Sequence, residues 1–159
     1  MRIQAVIMMG IVGAMGVWAL SSCSTAPVTV KETNLVPYTI VNKNSIPQSL
    51  TGKKGDPAEG RKLAINKRKG NCLACHELPI PEEQFHGKIG PNLHNVGSKY
   101  SEGILRLRLV NPKVVKPDSV MPAFYRVDGL NIVRKDLIGK PMLSAEEIED
   151  LVAYLTSIK

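Results

Sequence analysis

An all-α fold is what this sequence predicts, and three observations predict it. Residues 56–69 and 144–159 each open with a helix start signal and continue with helix-forming residues. Residues 101–112 hold a shorter apolar helical stretch that stops at Asn111-Pro112. No alternating strand pattern of any length is present, and no internal repeat. A chain of 159 residues favours one domain with short additions.

Residues 1–22 form the first of these additions. Arg2 is followed by "AVIMMGIVGAMGVWAL", residues 5–20, which carries no charge. A positive residue, an apolar run and then small residues read as an export signal. The run is long for a signal core and short for a membrane span of about 20 residues, so an uncleaved anchor stays open. The segment ends in "LSSC", residues 20–23, which resembles a bacterial lipobox. In that reading cleavage falls before Cys23, and Cys23 is the lipidation candidate that would attach the chain to a membrane. Ordinary cleavage nearby, after Ser22 or Ala26, is the alternative, with Cys23 left free or lost; a free Cys23 would be an odd thiol in an oxidising compartment.

Residues 23–50 contain three prolines and no sustained helical period, so they read as a tether or arm with at most one short strand. The apolar "LVPYTIV" within them has enough surface to dock on something.

The domain proper is expected over residues 51–159. Asp56 is the predicted N-cap of its first helix, Pro57 suits the first helical position and Glu59 completes an Asp-x-x-Glu capping box. That helix should run to about Lys69, with Gly70 just past its end. Gly60 inside it costs about 1 kcal/mol against alanine, which implies close contact with a second helix. In the shorter helix, Ile104, Leu105, Leu107 and Leu109 are apolar. In the last helix Ser144 and Glu147 form another capping box, and Ile148, Leu151, Val152 and Leu155 make one apolar stripe.

Charge and composition narrow the function classes. Net charge is +7, and basic residues crowd into Lys53, Lys54, Arg61, Lys62, Lys67, Arg68 and Lys69. These form either a steering face for an acidic partner or a solvated helix face. No nucleic-acid module is recognisable, and nucleic acid is not an expected partner of an exported chain. Beyond residue 22 the aromatics are Tyr38, Phe85, Tyr100, Phe124, Tyr125 and Tyr154, and the methionines are Met121 and Met142. That is thin for a core of this size; a large apolar cofactor would fill it, as would aliphatic packing.

Two of the three cysteines sit in Cys72-Leu73-Ala74-Cys75-His76. A structural zinc site needs four ligands, and no second cysteine pair exists. His86 and His94 stand eight apart, outside the common His-x₃₋₅-His spacing. A redox dithiol expects a βαβ setting, which is missing. The remaining reading is covalent attachment of one haem c, for which Cys-x-x-Cys-His is the signal. Thiols one turn apart reach both vinyl groups, and His76 then lies under the iron.

A second axial ligand is sought among Met121, Met142, His86 and His94. Met121 lies in the proline-bracketed "KPDSVMPAFY" and is the expected ligand. Met142 precedes the last helix and reads as core packing, and His86 is too close in sequence to reach the opposite face. A His/Met pair raises the potential and suits an electron acceptor.

"GKIGPNLHNVG", residues 87–97, closely resembles the "GPNLHG" stretch of class I cytochromes c. The resemblance implies that fold, with small helices around one covalently bound haem. It also implies that the Pro91 carbonyl accepts the second N–H of His76, and that His94 makes structural hydrogen bonds. "LRLRLVNP", "DSVMPAFY" and "GKPMLSAEE" are further similar to SoxX, the monohaem subunit family of the SoxAX cytochromes. That resemblance implies a SoxA-type partner in a heterodimer and a periplasmic location. It implies electron uptake when thiosulfate is joined to a carrier-protein cysteine, and transfer to a downstream cytochrome. In such an enzyme, an L-cysteine S-thiosulfotransferase, this chain would be the electron-accepting subunit and not the nucleophile. It contributes no catalytic residue. The rivals are a stand-alone, membrane-anchored monohaem carrier and a haem sensor whose methionine dissociates.

Overall fold

The computed structural model describes residues 26–30 and 35–159. The export signal of residues 1–22 and the lipidation candidate Cys23 lie outside the described residues. In order, the elements are β1 (Val28–Val30), β2 (Tyr38–Ile40), α1 (Pro57–Ile65), α2 (Val96–Lys99), α3 (Glu102–Val110) and α4 (Ala145–Ser157). Three short 3₁₀ turns punctuate the loops, at Cys72–Ala74, Pro112–Val114 and Lys135–Leu137. Among the described residues no helix is long and apolar enough to cross a membrane.

Helix α1 begins where the sequence predicts. Asp56 accepts the N–H of Ala58 at 2.7 Å, and Pro57 occupies the first turn. Glu59 does not close a capping box, because its carboxylate pairs with Lys62 at 2.6 Å. The helix also ends at Ile65 and not near Lys69. Asn66 stops it: its backbone is extended (ψ 110°), and its side chain accepts the N–H of Arg68 at 2.9 Å. An asparagine amide competes in this way with the helical ladder. The left-handed residue beyond is Asn71, at φ 49°, and not Gly70.

Helices α1 and α4 cross at Gly60. A Cβ there would run into the Asp150 carbonyl and come within 2.8 Å of Tyr154 Cβ. The close approach explains why a residue unfavourable to helices sits in this one. Ala64, one turn on, is fully buried. Helix α4 has both halves of its capping box, Ser144 Oγ accepting from Glu147 N at 3.2 Å and Glu147 Oε2 accepting from Ser144 N at 2.9 Å. Its stripe of Ile148, Leu151, Val152 and Leu155 is buried.

Helix α3 stops at Asn111-Pro112 as expected and buries Leu105, Leu107, Leu109 and Val110, with Ile104 half-buried. It also buries Arg106, which the apolar pattern conceals.

Among its described residues the arm has two strands where one is expected. They pair antiparallel, with Val28 opposite Ile40 and Val30 opposite Tyr38. Three residues per strand are too few to show alternation, so the pairing is visible only in the fold. What the arm docks on is this chain itself. Leu35, Tyr38, Ile40, Ile46 and Leu50 are all buried in the common core.

Candidate haem site

The left-handed Asn71 turns the chain out of the α1 region into the 3₁₀ turn Cys72–Ala74. Leu73 is buried in the core and anchors that turn. The N–H of His76 reaches back to the Cys72 carbonyl at 2.8 Å. Residues 77–93 then fold back on the turn. Gly87 N donates to Leu73 O at 2.7 Å, Gly90 N to Cys75 O at 2.8 Å and Leu93 N to Glu77 O at 2.9 Å.

This return brings Pro91 to His76. His76 Nδ1 lies 2.7 Å from the Pro91 carbonyl oxygen. A carbonyl has no proton to give, so Nδ1 carries the proton and donates it. The tautomer is thereby set, and Nε2 keeps its lone pair for a metal. Gly90 is required for this approach, since a Cβ on it would meet the imidazole ring.

Cys72 and Cys75 are unpaired and half-buried. Burial pushes the Cys72 thiol up to about 11, and the neighbouring Cys75 adds to the rise. Among the described residues no group of three or more His, Cys, Asp or Glu side chains is arranged to hold a metal ion. A structural zinc site therefore loses support in the geometry as well as in the sequence.

Met121 comes from a separate loop, residues 111–125, and packs half-buried against the core. Short bonds hold this loop. Lys113 Nζ donates to Ser119 O at 2.7 Å, and Met121 N to Ser119 Oγ at 3.2 Å. Phe124 N and Tyr125 N return to the carbonyls of Leu109 and Val110 at 3.0 and 3.4 Å. Met142 is also half-buried against the core.

The structural hydrogen bond that the resemblance implies for His94 is made by His86. The side chain of His94 is exposed. His86 instead makes a structural bond, with Nδ1 accepting the N–H of Leu78 at 3.3 Å. Its ring is therefore held within the 77–93 return.

The residues present suit a haem. Two unpaired thiols precede a histidine whose Nδ1 is already bonded to the Pro91 carbonyl, which leaves Nε2 for iron. Ile89, 73% exposed, adjoins Gly90, and Val120, 82% exposed, adjoins Met121. Large apolar side chains open to solvent on both ligand-bearing segments are what the edges of an apolar cofactor's crevice require.

Part of the basic cluster is neutralised locally. Lys69 pairs with Glu147 at 2.8 Å, Lys62 with Glu59, and Arg61 with Glu82. Lys67 and Arg68 are exposed on the turn that leads to Cys72, and Lys53 and Lys54 are exposed before α1.

Three residues the sequence reading passed over matter here: Gly87, Tyr125 and Arg106. Gly87 had a signal, because a glycine three residues before Gly90-Pro91 implies close backbone approach; its Cβ would meet the Ala74 carbonyl.

A cytochrome c family model matches residues 57–159. Among solved structures the chain is similar to the crystal structure of SoxXA from P. pantotrophus. It is 36% identical to that chain, with a TM-score of 0.70, over 76% of this chain and 93% of the other. No curated protein sequence matches. Together with Cys72-Leu73-Ala74-Cys75-His76, the family match means that the chain carries one covalently bound haem c. On these matches, the chain belongs to the cytochrome c family and is a SoxX-type electron-transfer cytochrome.

Proposed function

We propose that this chain is the electron-accepting subunit of a SoxAX-type cytochrome, paired with a SoxA-type subunit outside the cytoplasm. The observation that carries the reading is the 36% identity, over three quarters of the chain, to a chain of SoxXA. On this reading electrons arrive when thiosulfate is oxidatively joined to a carrier-protein cysteine, and they leave to another cytochrome.

The chain's own residues have definite tasks in that role. Cys72 and Cys75 would hold the haem through two thioethers, and His76 and Met121 would supply its nitrogen and sulfur ligands. When bound, the haem supplies reversible one-electron chemistry at iron. Pro91 would orient the His76 ring and, by accepting the Nδ1–H hydrogen bond, make Nε2 a more basic ligand for iron. A methionine opposite histidine favours the ferrous state relative to two histidines. With both His76 and Met121 engaged, the iron would have no open position, and substrate chemistry would fall to the partner subunit. The export signal and lipidation at Cys23 would hold the complex at the outer face of a membrane.

Co-expression with a SoxA-type subunit tests the reading. A stable one-to-one complex is expected on co-purification. Two separable monomers under the same conditions would favour a stand-alone carrier.

A further inference from the structure

The arm is physically tied to the methionine loop. Val36 donates its N–H to the hydroxyl of Tyr125 at 3.0 Å, across 89 residues of sequence. The ring of Tyr38 lies against that of Tyr125, with centroids 6.5 Å apart. Tyr125 is 3% exposed and stands four residues after Met121 in the same loop. A phenylalanine would fill the same space, and the hydroxyl adds the contact to the arm.

The arm's other end is fixed independently. Ile46 N donates to the Gly103 carbonyl at 3.0 Å, Arg106 Nη1 donates to the Ile46 carbonyl at 2.7 Å, and Leu50 N donates to Glu149 Oε1 at 2.9 Å. Gly103 permits this approach, since a Cβ there would meet Ser45 Oγ and the Ile46 carbonyl. Residues 35–50 therefore form a strap with one end on α3 and α4 and the other on the methionine loop.

We infer that Tyr125 is a positioning residue through which this strap holds the Met121 loop closed, and so sets how readily the methionine leaves the iron. The inference rests on Met121 being the axial ligand. Loop opening exposes a sixth coordination position to any small nitrogenous ligand. The Val36–Tyr125 hydrogen bond must break, or travel with the arm, for that opening to occur. Losing one such bond, with the ring retained, favours the open loop roughly fivefold.

Imidazole binding to the ferric holoprotein reads this opening at saturating imidazole, where methionine release limits the rate. Tyr125→Phe removes the acceptor and should bind imidazole roughly fivefold faster than the native protein. Val36→Pro removes the donor from the arm's side and tests the same bond if Tyr125→Phe folds poorly. The double variant should be no faster than the faster single, because both remove one interaction. Lys159→Met deletes a hydrogen bond to Gly97, 2.8 Å in length, outside the loop, and should leave the rate unchanged.

A native rate in Tyr125→Phe or Val36→Pro overturns the inference, as does equal acceleration in Lys159→Met. Met121→Ala separates the two levels of the argument. If the methionine-to-ferric charge-transfer band disappears in it while Tyr125→Phe binds at the native rate, the strap alone is wrong. If the band survives Met121→Ala, the ligand assignment falls and the strap with it.

Discussion

Arg106 and Glu149 meet as a buried bidentate pair, Nε to Oε1 at 2.7 Å and Nη2 to Oε2 at 2.8 Å, with both side chains at most 3% exposed. The pair joins α3 to α4 and also holds the arm, through Ile46 O and Leu50 N. Burying two charges is tolerated only when geometry is good and the remaining donors and acceptors are bonded. Both conditions are met. Glu149→Gln leaves the buried guanidinium only the half-exposed Glu102 carboxylate, 4.0 Å away, and should cost about 3 kcal/mol in denaturant unfolding. Replacing both residues with methionine should cost less than that single change. A Glu149→Gln protein as stable as the native one would show that the pair does not hold the helices.

Gly60 offers a test in which two effects have opposite signs. On a free helix face, glycine to alanine gains about 1 kcal/mol. At the crossing of α1 and α4 the new methyl meets the Asp150 carbonyl, which belongs to a rigid helix. Forcing a methyl into such a contact costs about 1–3 kcal/mol. Gly60→Ala should therefore lower the thermal midpoint, and a rise would mean that the helices can move apart freely.

Gly90→Ala should act on the cofactor more than on the fold. The added Cβ meets the His76 ring and pushes it from Pro91. Loss of that orienting bond typically costs about 10–100-fold in affinity or activity at a metal site. The expected readout is a lower haem-to-protein ratio, or an altered ferric spectrum, in secreted protein. Native loading with a native spectrum would show that the His76–Pro91 contact is dispensable.

The tyrosines carry a pH prediction. Burial raises the phenols of both Tyr125 and Tyr154 above the ordinary range. A phenol whose folded value is raised binds its proton more tightly folded than unfolded. Its stabilising contribution is complete below the unfolded value of about 10. It is lost as pH rises through the folded value. Tyrosinate absorbance should therefore develop late for these two of the chain's four tyrosines. Tyr125→Phe and Tyr154→Phe should each delete part of the late phase and flatten the alkaline fall in stability. Deletion from the early phase would contradict the burial argument.

Much of the fold was legible because its signals are local. The Ser144 and Glu147 box, the Asp56 cap and the Asn111-Pro112 stop each lie within a few residues of what they control. The Cys72-x-x-Cys75-His76 spacing is local too. The rest depends on partners far away in sequence. Asn66 ends α1 early because its side chain finds the backbone of Arg68, while the helix-favouring Lys67, Arg68 and Lys69 beyond it suggest that the helix continues. Arg106 hides in "LRLRLV" and Glu149 beside the stripe of α4; each looks like a surface charge until the other is in place. The strap is the extreme case, since nothing near Val36 indicates Tyr125.

In the proposed function this haem receives the electrons released as thiosulfate is joined to a carrier cysteine. The direct measurement mixes the ferric chain, in complex with a SoxA-type subunit, with thiosulfate and the carrier protein, and follows the haem spectrum. Reduction of this chain's haem in step with carrier modification is expected, and none when thiosulfate or carrier is omitted. A haem that stays ferric while the carrier is modified would contradict it.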